Sequence, residues 1–247
     1  MADSDYRTAL VTGASSGIGE AVVRALCARG LGVTALARRA QRLEQLAQAT
    51  GCEAVVVDVR DRDALYAALD DREVDILVNN AGIGRGMTGL AETDPDDIDA
   101  AIDTNVGAVL HAVRALVPGM IARGRGHIVN IGSIAGLYPI SSALYGASKG
   151  AVRLLSQNLR LELLGTGVRV TEICPGRVQT EFFAQAFGDA EVVGRMTSGF
   201  ALLQPADIAD AILYALDAPW HVNVATIELL PTEQAPGGIN VRPMERS

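Results

Sequence analysis

The amino-acid sequence predicts an α/β fold: a doubly wound, mostly parallel sheet of seven strands flanked by helices. Short apolar runs rich in β-branched residues alternate along the chain with longer segments of helical period. Several of these runs, such as Val55–Val57 and Ile76–Val78, are apolar at every position. That pattern is typical of parallel strands covered by helices on both faces. The regular alternation favours right-handed crossovers between neighbouring strands.

The elements follow one another without a linker, a repeat or a low-complexity segment, so we expect one domain over residues 1–247. The predicted strands are Ala9–Thr12, Val33–Ala37, Ala54–Val59, Ile76–Asn79, His127–Ile131, Val168–Ile173 and Thr226–Leu230. The predicted helices are Ile18–Arg29, Ala40–Ala49, Arg62–Leu69, Pro95–Arg123, Ala143–Leu164 and Pro205–Leu216. The segment Glu181–Leu203 has no clean period, and we predict a lid insertion there, because such insertions often cover the carboxyl ends of the strands.

Composition excludes several function classes. The 247 residues carry a net charge of −8, which argues against a general nucleic-acid binder or a binder of anionic membranes. The amino terminus lacks the pattern of a secretory signal, and no apolar run approaches about 18 residues. Cys27, Cys52 and Cys174 are scattered and odd in number, which fits the reducing cytoplasm. The three histidines are far apart, so we expect no metal site.

A glycine-rich turn, Thr12–Gly19, joins the first strand to the first helix. Glycines at this junction let the backbone approach a pyrophosphate, and the helix amino end offers free N–H groups. The spacing is G-x-x-x-G-x-G, and its position between strand and helix is the informative part. The residues expected to hold the cofactor here are Gly13, Ser15, Ser16, Gly17, Ile18 and Gly19.

The end of the second strand favours NADP(H) over NAD(H). An NAD site usually places Asp or Glu there to bind the ribose diol. This chain instead has Ala37 followed by Arg38 and Arg39, whose guanidinium groups suit a 2′-phosphate. Asp58 and Val59, at the end of the third strand, are candidates for the adenine edge.

Tyr145 and Lys149 lie four residues apart on one predicted helix and so share a face. A phenol near its reference pKa of about 10 is a poor proton donor or acceptor at neutral pH, and a neighbouring cation is expected to lower that pKa. The pattern arises by chance in many helices. Here, however, the only lysine among 21 basic residues completes it.

Two further polar residues are candidates for the same site. Ser133 ends the fifth strand, where its hydroxyl could polarise a substrate carbonyl, although a cap or turn serine is the more ordinary role. Asn105 lies mid-helix at the margin of an expected buried stripe. A buried, unpaired Asn is costly, so we expect it to hold a water or backbone contact that supports proton transfer to Lys149. The stripe itself is predicted to be Ile98, Ile102, Val106, Val109 and Val113.

Taken together, these motifs resemble those of the short-chain dehydrogenase/reductase family, with a Rossmann-type fold. The resemblance extends over nearly the whole chain and includes Asn79–Gly82, Pro175-Gly176 and Thr180. It implies that Tyr145 is the general acid/base, that Lys149 holds the nicotinamide ribose, that Ser133 orients the carbonyl and that Asn105 supports the proton relay. It also implies cofactor contacts from Asn80, Ala81, Gly82, Pro175, Gly176, Val178 and Thr180, with Asn79 supporting the sheet. Homotetramers, or homodimers, are the usual assembly.

The carboxy-terminal stretches Pro219–Val224 and Glu228–Thr232 are similar to those of NADP-dependent 3-hydroxy acid (serine-type) dehydrogenases and sulfoacetaldehyde reductases. The leading expectation is an NADP(H)-dependent oxidoreductase acting on a small carbonyl or alcohol. A 3-oxoacyl-carrier-protein reductase, with Arg123 and Arg125 docking the acidic carrier, and a secondary-metabolite ketone reductase are alternatives. A non-catalytic, cofactor-binding regulator ranks last, because all four tetrad residues are present.

The substrate itself stays open at this point. Arg85 or Arg177 could pair with a carboxylate or sulfonate, since both follow motifs expected at the site. Phe182 and the other aromatic and Met residues of the lid favour an apolar substrate instead, unless they only pack.

Overall fold

Seven parallel strands form a single sheet in the order β3-β2-β1-β4-β5-β6-β7. The computed structural model describes residues 6–87, 89–235, 241 and 243. The strands are β1 (Thr8–Thr12), β2 (Gly32–Ala37), β3 (Glu53–Val56), β4 (Ile76–Asn79), β5 (Gly126–Ile131), β6 (Val168–Pro175) and β7 (Thr226–Leu229). The strand order reverses between β1 and β4, which opens a crevice at their carboxyl ends. The predicted fold class is confirmed.

Helices cover both faces of the sheet in two layers. They are α1 (Gly17–Ala28), α2 (Ala40–Thr50), α3 (Arg62–Leu69), α4 (Pro95–Ile102), α5 (Ala108–Ala122), α6 (Ile134–Leu137), α7 (Ala143–Glu162), α8 (Phe182–Phe187), α9 (Ala190–Thr197) and α10 (Pro205–Leu216). One core lies under α1, α2 and α10, with Leu26, Leu43 and Ile212 fully buried. The other lies under α3, α5 and α7. The central strands are therefore covered on both sides, which explains their uninterrupted apolar runs. The run Val55–Val57 is different, because β3 is an edge strand and Val56 is 55% exposed.

Most predicted boundaries agree with the structure to within one or two residues, and the exceptions have local causes. The third strand ends at Val56, three residues before the predicted end, because β3 pairs only with β2 through Val56. The sixth strand continues to Pro175, since β7 pairs with it as far as that residue. These extra residues carry β6 to the rim of the crevice.

The long predicted helix Pro95–Arg123 is interrupted by one π-helical turn, Asp103–Gly107, between α4 and α5. The predicted buried stripe is wrong in its first half: Ile102 is 40% exposed, whereas Asn105 is 1% exposed. A π turn inserts an extra residue into the helical repeat and so rotates the face that follows. The turn brings Asn105 onto the buried side of the helix.

Among the described residues, one helix, Pro95–Ala122, is long and apolar enough by length and composition to cross a membrane. In this fold, much of that apolar character comes from side chains that pack on the sheet. Val109, Val113 and Leu116 belong to the core beneath α5. Core helices of this kind and membrane spans share the same length and apolar composition.

The lid segment, Glu181–Leu203, forms two short helices, α8 and α9, at the carboxyl end of the sheet. Gly188 ends α8 in the left-handed conformation, and the Asp189 side chain caps α9 by accepting hydrogen bonds from Glu191 and Val192 N–H groups. Neither helix has a fully buried residue. The absence of a clean sequence period reflects this shallow packing.

A buried polar chain ties the centre of the sheet to α7. The Asn79 amide donates to Asn130 Oδ1 at 2.9 Å, and the Asn130 amide donates to Ser156 Oγ at 2.9 Å. Ser156 in turn donates to the Val152 carbonyl at 2.8 Å. Every member is at most 4% exposed, so each depends on its neighbour for a partner.

We expect Asn130→Ala to lower the free energy of unfolding by about 3 kcal/mol, because it leaves a cavity and removes the acceptor of Asn79. Urea denaturation followed by circular dichroism measures the change. Asn158→Ala, at an exposed position of α7, is the matched control and should shift stability by less than about 0.5 kcal/mol. Equal losses for the two variants would contradict the role of the chain.

Candidate active site

A cleft of about 760 Å³ opens at the carboxyl ends of the strands, along the crevice between β1 and β4. Nearly all of the predicted site residues line it. Those present are Gly13, Ser15, Ser16, Gly17, Ile18, Arg38, Arg39, Asp58, Val59, Asn80, Ala81, Gly82, Arg85, Ser133, Tyr145, Lys149, Pro175, Gly176, Arg177, Val178, Thr180 and Phe182. The fold thus brings together residues from the ends of six strands, β1 to β6, and from the lid.

The glycine turn leaves a cradle at the amino end of α1. Gly13 and Gly17 have φ angles of +66° and +57°, which side-chain-bearing residues rarely adopt. A Cβ on Gly13 would lie 2.8 Å from Ala81 Cα, so the turn and the loop after β4 touch directly. Gly19, predicted to hold the cofactor, does not line the cleft. A Cβ there would lie 2.5 Å from the Gly13 carbonyl oxygen, so Gly19 serves the close packing of α1 against the turn.

The Thr12 hydroxyl joins the glycine turn to the loop after β4. It accepts hydrogen bonds from the backbone N–H groups of Asn80 and Ala81, both at 3.0 Å, and donates to the Val78 carbonyl at 3.4 Å. The Asn80 amide donates back to the Thr12 and Gly13 carbonyls at 2.9 and 3.2 Å. Sequence reasoning gave Thr12 no role of its own, because a threonine ending a strand carries no distinctive signal.

The adenosine end of the cleft is cationic. Arg39 Nε donates to Ser15 Oγ at 3.0 Å, and its Nη2 donates to Ser16 Oγ. Arg38 lies 3.7 Å from Asp58, whose pKa is lowered chiefly by hydrogen bonds from Arg60. No carboxylate stands at the end of β2, since Ala37 closes it. The donor set fits a phosphorylated ribose better than a free diol.

Two charged residues at this end escaped the sequence analysis. Arg42, on the first turn of α2, donates to Glu181 Oε1 at 2.7 Å, and Arg39 donates to Glu181 Oε2 at 2.8 Å. Burial of charge is slight, and the two hydrogen bonds lower the pKa of Glu181. The contacts span about 140 residues of chain, and no local pattern marks such a distant pair.

Tyr145 and Ser133 face each other on the substrate side of the cleft. Burial raises the pKa of Tyr145 to about 12, and the nearby Ser133 hydroxyl opposes that shift to a smaller extent. The expected net lowering is therefore wrong, because burial disfavours the phenolate more than its polar neighbours favour it. Ser133 also caps α6 by accepting a hydrogen bond from Ala135 N at 3.1 Å. The ordinary reading of Ser133 as a cap is correct, and it leaves the hydroxyl in the cleft wall.

Lys149 is 5% exposed, with its ammonium donating to the Ile131 carbonyl at 2.8 Å. Burial lowers its pKa to about 8, and the nearby Cys174 and Glu172 oppose that shift. A Cβ on Gly82 would lie 3.5 Å from Nζ, an ordinary van der Waals contact, so Gly82 lies directly beside the ammonium.

Asn105 lines no part of the cleft, contrary to a direct role there. Its Oδ1 accepts from Ile83 N at 2.8 Å, and its amide donates to Ile83 O and Ser148 Oγ, both at 3.0 Å. The expected backbone contact is therefore present. It fixes the loop after β4 against α7, one turn from Tyr145.

Glu172, a buried acid on β6, lies behind the catalytic side chains. It is 1% exposed, and within the described residues neither carboxyl oxygen has a hydrogen-bond partner of normal geometry. Burial raises the pKa of Glu172, while the neighbouring Cys174 thiol and, after it, the charges of Arg153, Arg160 and Lys149 lower it to a smaller extent. The sequence did not predict burial of Glu172, because an acid is rarely buried within an apolar strand.

The substrate end of the cleft is mostly apolar. The Phe182 ring lies 5.5 Å from that of Tyr145, centroid to centroid, and Phe183 packs edge-on against it at 5.5 Å. Arg85 is exposed at the rim and lies 3.4 Å from Asp97. Arg177 is only 7% exposed, donates to the Met196 carbonyl at 3.3 Å and lies over the Phe200 ring at 5.4 Å.

Arg123 and Arg125 lie away from the cleft. They contact Val74 O and Asp75 at the amino ends of the strands, opposite to the cleft. An acidic carrier bound to these two arginines would therefore lie at the opposite edge of the sheet. In the part of the chain that the structure describes, no group of three His, Cys, Asp or Glu side chains could hold a metal ion.

The family follows from comparison with known proteins. A model of short chain dehydrogenases matches residues 7–191. The chain is a short-chain dehydrogenase/reductase. The NADP-dependent 3-hydroxy acid dehydrogenase YdfG of Salmonella typhi is 40% identical over 94% of this chain and 98% of its own. Sulfoacetaldehyde reductase 2 of Chromohalobacter salexigens is 39% identical over 92% of this chain and 94% of its own.

A closed form of serine dehydrogenase complexed with NADP⁺ matches this short-chain dehydrogenase/reductase with a TM-score of 0.90 at 39% identity, covering 96% of this chain and 100% of that one. The family, the enzyme class and NADP(H), all predicted from sequence, are confirmed by these relatives. The cradle at Gly13 and Gly17 and the cationic adenosine end fit that cofactor independently.

We expect Thr12→Val, which keeps the shape of the side chain, to destabilise this short-chain dehydrogenase/reductase by about 2 kcal/mol, because two backbone N–H groups lose their acceptor. Thermal unfolding measures the loss. Thr226→Val, on the exposed side of β7, is the control and should leave the midpoint nearly unchanged. If both variants unfold alike, the hydroxyl is not what joins the turn to the loop.

Proposed function

We propose that this protein transfers hydride between NADP(H) and a small 3-hydroxy acid, or the corresponding aldehyde or keto acid. The observation that carries the proposal is that Ser133, Tyr145 and Lys149 line the same cleft as the glycine cradle. The relatives named for 3-hydroxy acid, serine and sulfoacetaldehyde chemistry support it. All of these substrates place an anionic group close to the reacting carbon.

The mechanism assigns a separate task to each side chain. NADP(H), when bound, supplies or accepts the hydride. In reduction, Ser133 Oγ donates a hydrogen bond to the carbonyl oxygen and so favours the charge that develops there. Tyr145 then gives its phenolic proton to the same oxygen, which completes the alcohol. In oxidation the same proton moves from the alcohol to Tyr145.

Lys149 supports Tyr145 electrostatically. Its ammonium is anchored on the Ile131 carbonyl and faces the space beside Gly82. A positive charge there stabilises the phenolate that forms when Tyr145 gives up its proton. Asn105 acts through the backbone of Ile83, which it holds with two hydrogen bonds. It is a positioning residue in this scheme, and its proposed relay to Lys149 passes through that loop.

Arg177 is the better of the two candidates for holding the substrate anion. It is buried at the cleft wall, where a charge interacts more strongly than at the solvent-screened rim occupied by Arg85. Phe182 and its aromatic neighbours then exclude water from the reacting carbon. The same aromatic wall favours a bulkier apolar ketone as the second candidate substrate.

We also propose a cytoplasmic homotetramer, or a homodimer, of one-domain subunits. The three cysteines are unpaired, which suits a reducing compartment. Leucines on the outer faces of α5 and α7 are exposed, with Leu110 at 46%, Leu154 at 57% and Leu161 at 75%. Exposed apolar side chains on these two helices are suited to contact with a second copy of the chain.

Tyr145→Phe tests the acid/base assignment. We expect kcat to fall by about 10²- to 10⁴-fold with little change in the Kd for NADPH, because only the transferable proton is lost. NADPH oxidation at 340 nm and fluorescence titration measure the two quantities. Tyr138→Phe is the control, since that hydroxyl contacts Glu228 outside the cleft. Undiminished turnover of Tyr145→Phe would refute the mechanism.

Arg177→Leu tests the substrate class. We expect KM for a 3-hydroxy acid to rise about tenfold, the size of a lost charged hydrogen bond, while KM for its uncharged amide stays unchanged. Arg177→Lys, which keeps the charge, should recover part of the affinity, and Arg85→Leu is the control at the rim. A parallel rise for acid and amide would show that Arg177 only supports the wall, and would favour the apolar-ketone reading.

A further inference from the structure

One carboxylate lies within the cationic group at the adenosine end of the cleft. Glu181 Oε2 accepts from Arg39 at 2.8 Å, and Oε1 accepts from Arg42 at 2.7 Å. The Gln185 amide adds a contact to Oε2 at 3.3 Å. A single anion is thus shared between two guanidinium groups, one at the amino cap of α2 and one on its first turn.

The Arg39 side chain also contacts the two serine hydroxyls of the glycine turn. Arg39 donates to Ser15 Oγ at 3.0 Å and also to Ser16 Oγ. Guanidinium and hydroxyl donors next to a helix amino end form an anion-binding set. In the proposed complex, the 2′-phosphate of NADP(H) requires this set. The Glu181 carboxylate accepts hydrogen bonds from the same guanidinium groups.

Glu181 is also the first residue of the lid segment. Phe182 follows it directly and begins α8. The Phe182 ring packs on Tyr145 at 5.5 Å, and a Cβ on Gly84 would lie 2.7 Å from Phe182 Cζ. The ring therefore bridges the two sides of the substrate end. Glu181 thus contacts the adenosine end of the cleft, and the next residue, Phe182, covers Tyr145.

We propose that Glu181 is an internal competitor for the 2′-phosphate, and that binding of the phosphate at Arg39 and Arg42 releases Glu181 and with it the start of α8. The inference rests on the proposed placement of NADP(H) in the cleft. It adds Arg42 to the residues that recognise the phosphate. It also makes Glu181 a residue that sets cofactor specificity and links it to the lid.

Charge decides the direction of the exchange. A phosphate monoester carries about two negative charges at neutral pH and offers three acceptor oxygens, against one charge and two oxygens for a carboxylate. It therefore binds the two guanidinium groups more strongly and displaces Glu181. NAD(H) carries only an uncharged hydroxyl at that position, so Glu181 remains in place and Phe182 continues to cover Tyr145.

The expected size of the effect follows from exposure. The side chains of Arg39, Arg42 and Glu181 are 38%, 45% and 42% exposed, so solvent screens the ion pairs. Removing such a half-exposed competitor should tighten phosphate binding about threefold, within the range of exposed ion pairs. The gain should shrink at high ionic strength, where both partners are screened.

The first experiment measures equilibrium binding of 2′,5′-ADP and 5′-AMP, which differ only in the 2′-phosphate and undergo no turnover. In Glu181→Gln we expect the Kd for 2′,5′-ADP to fall about threefold and that for 5′-AMP to stay unchanged. Arg42→Ala should raise the Kd for 2′,5′-ADP about tenfold, as expected for a lost charged hydrogen bond, again without effect on 5′-AMP.

Glu191→Gln is the matched control. It removes one negative charge from the same lid, but Glu191 pairs only with Arg195 at the surface, at 2.7 Å. It should leave both dissociation constants unchanged. Equal effects of the two Gln variants would show that only the net charge of the lid matters, and would contradict direct competition by Glu181. An unchanged Kd in Glu181→Gln would overturn the competition.

Hydrogen exchange of the α8 amides tests the release of the lid. 2′,5′-ADP fills only the adenosine end, so it cannot order the lid through the nicotinamide. We expect it to speed exchange over Phe182–Phe187 in the wild-type protein, whereas 5′-AMP should not. Identical exchange with both nucleotides would overturn the coupling. Failure of the wild-type protein to bind 2′,5′-ADP at all would instead refute the proposed cofactor placement.

Discussion

The cleft depends on one contact between two loops that the sheet brings side by side. β1 and β4 are neighbours, so the glycine turn and the loop after β4 meet at the point where the strand order reverses. A single hydroxyl, that of Thr12, satisfies two backbone donors of the second loop. Gly13 lets the loops touch, and Asn80 bonds back across the gap. Cofactor cradle and catalytic wall are thereby fixed to each other.

Sequence periodicity was sufficient for most of the sheet because the central strands β1, β4, β5 and β6 are buried along nearly their whole length and the long helices have an apolar side. The predicted first residues of all seven strands thus agree with the structure to within one residue. Periodicity failed at Asp103–Gly107, where a polar residue takes a core position. A π turn depends on long-range partners of Asn105, namely Ile83 and Ser148, and such partners are not encoded locally.

The site shows the same division. The spacing of Tyr145 and Lys149 and the position of the glycines could be read from the chain, because each lies within one element or one junction. Glu181, Arg42 and Glu172 could not be, since their roles arise from elements brought together by the fold. The sequence also did not predict how burial and neighbouring polar groups combine to set the pKa of Tyr145. The pKa of Tyr145 rises to about 12 despite the polar residues around it.

Desolvation is common to the catalytic side chains. Burial disfavours the charged form of both Tyr145 and Lys149, raising one pKa and lowering the other to about 8. Where solvation is poor, an opposite charge nearby stabilises the ionised form more strongly than it would in water, because water screens the interaction less. Glu172 adds a third buried ionisable group behind the first two. A charge that enters the site would therefore change the pKa values of all three groups.

The π turn has a consequence for how this chain can vary in length. It accommodates one residue more than a regular helix would between α4 and α5. Deleting a single residue from Asp103–Gly107 would let the helix become regular while α4 and α5 keep nearly their present faces, because the π turn takes up its extra residue in one wide turn. The apolar faces of the two helices would hardly change. What would be lost is the wide turn that places the Asn105 side chain between Ile83 and Ser148, and with it the side-chain link from the loop after β4 to α7.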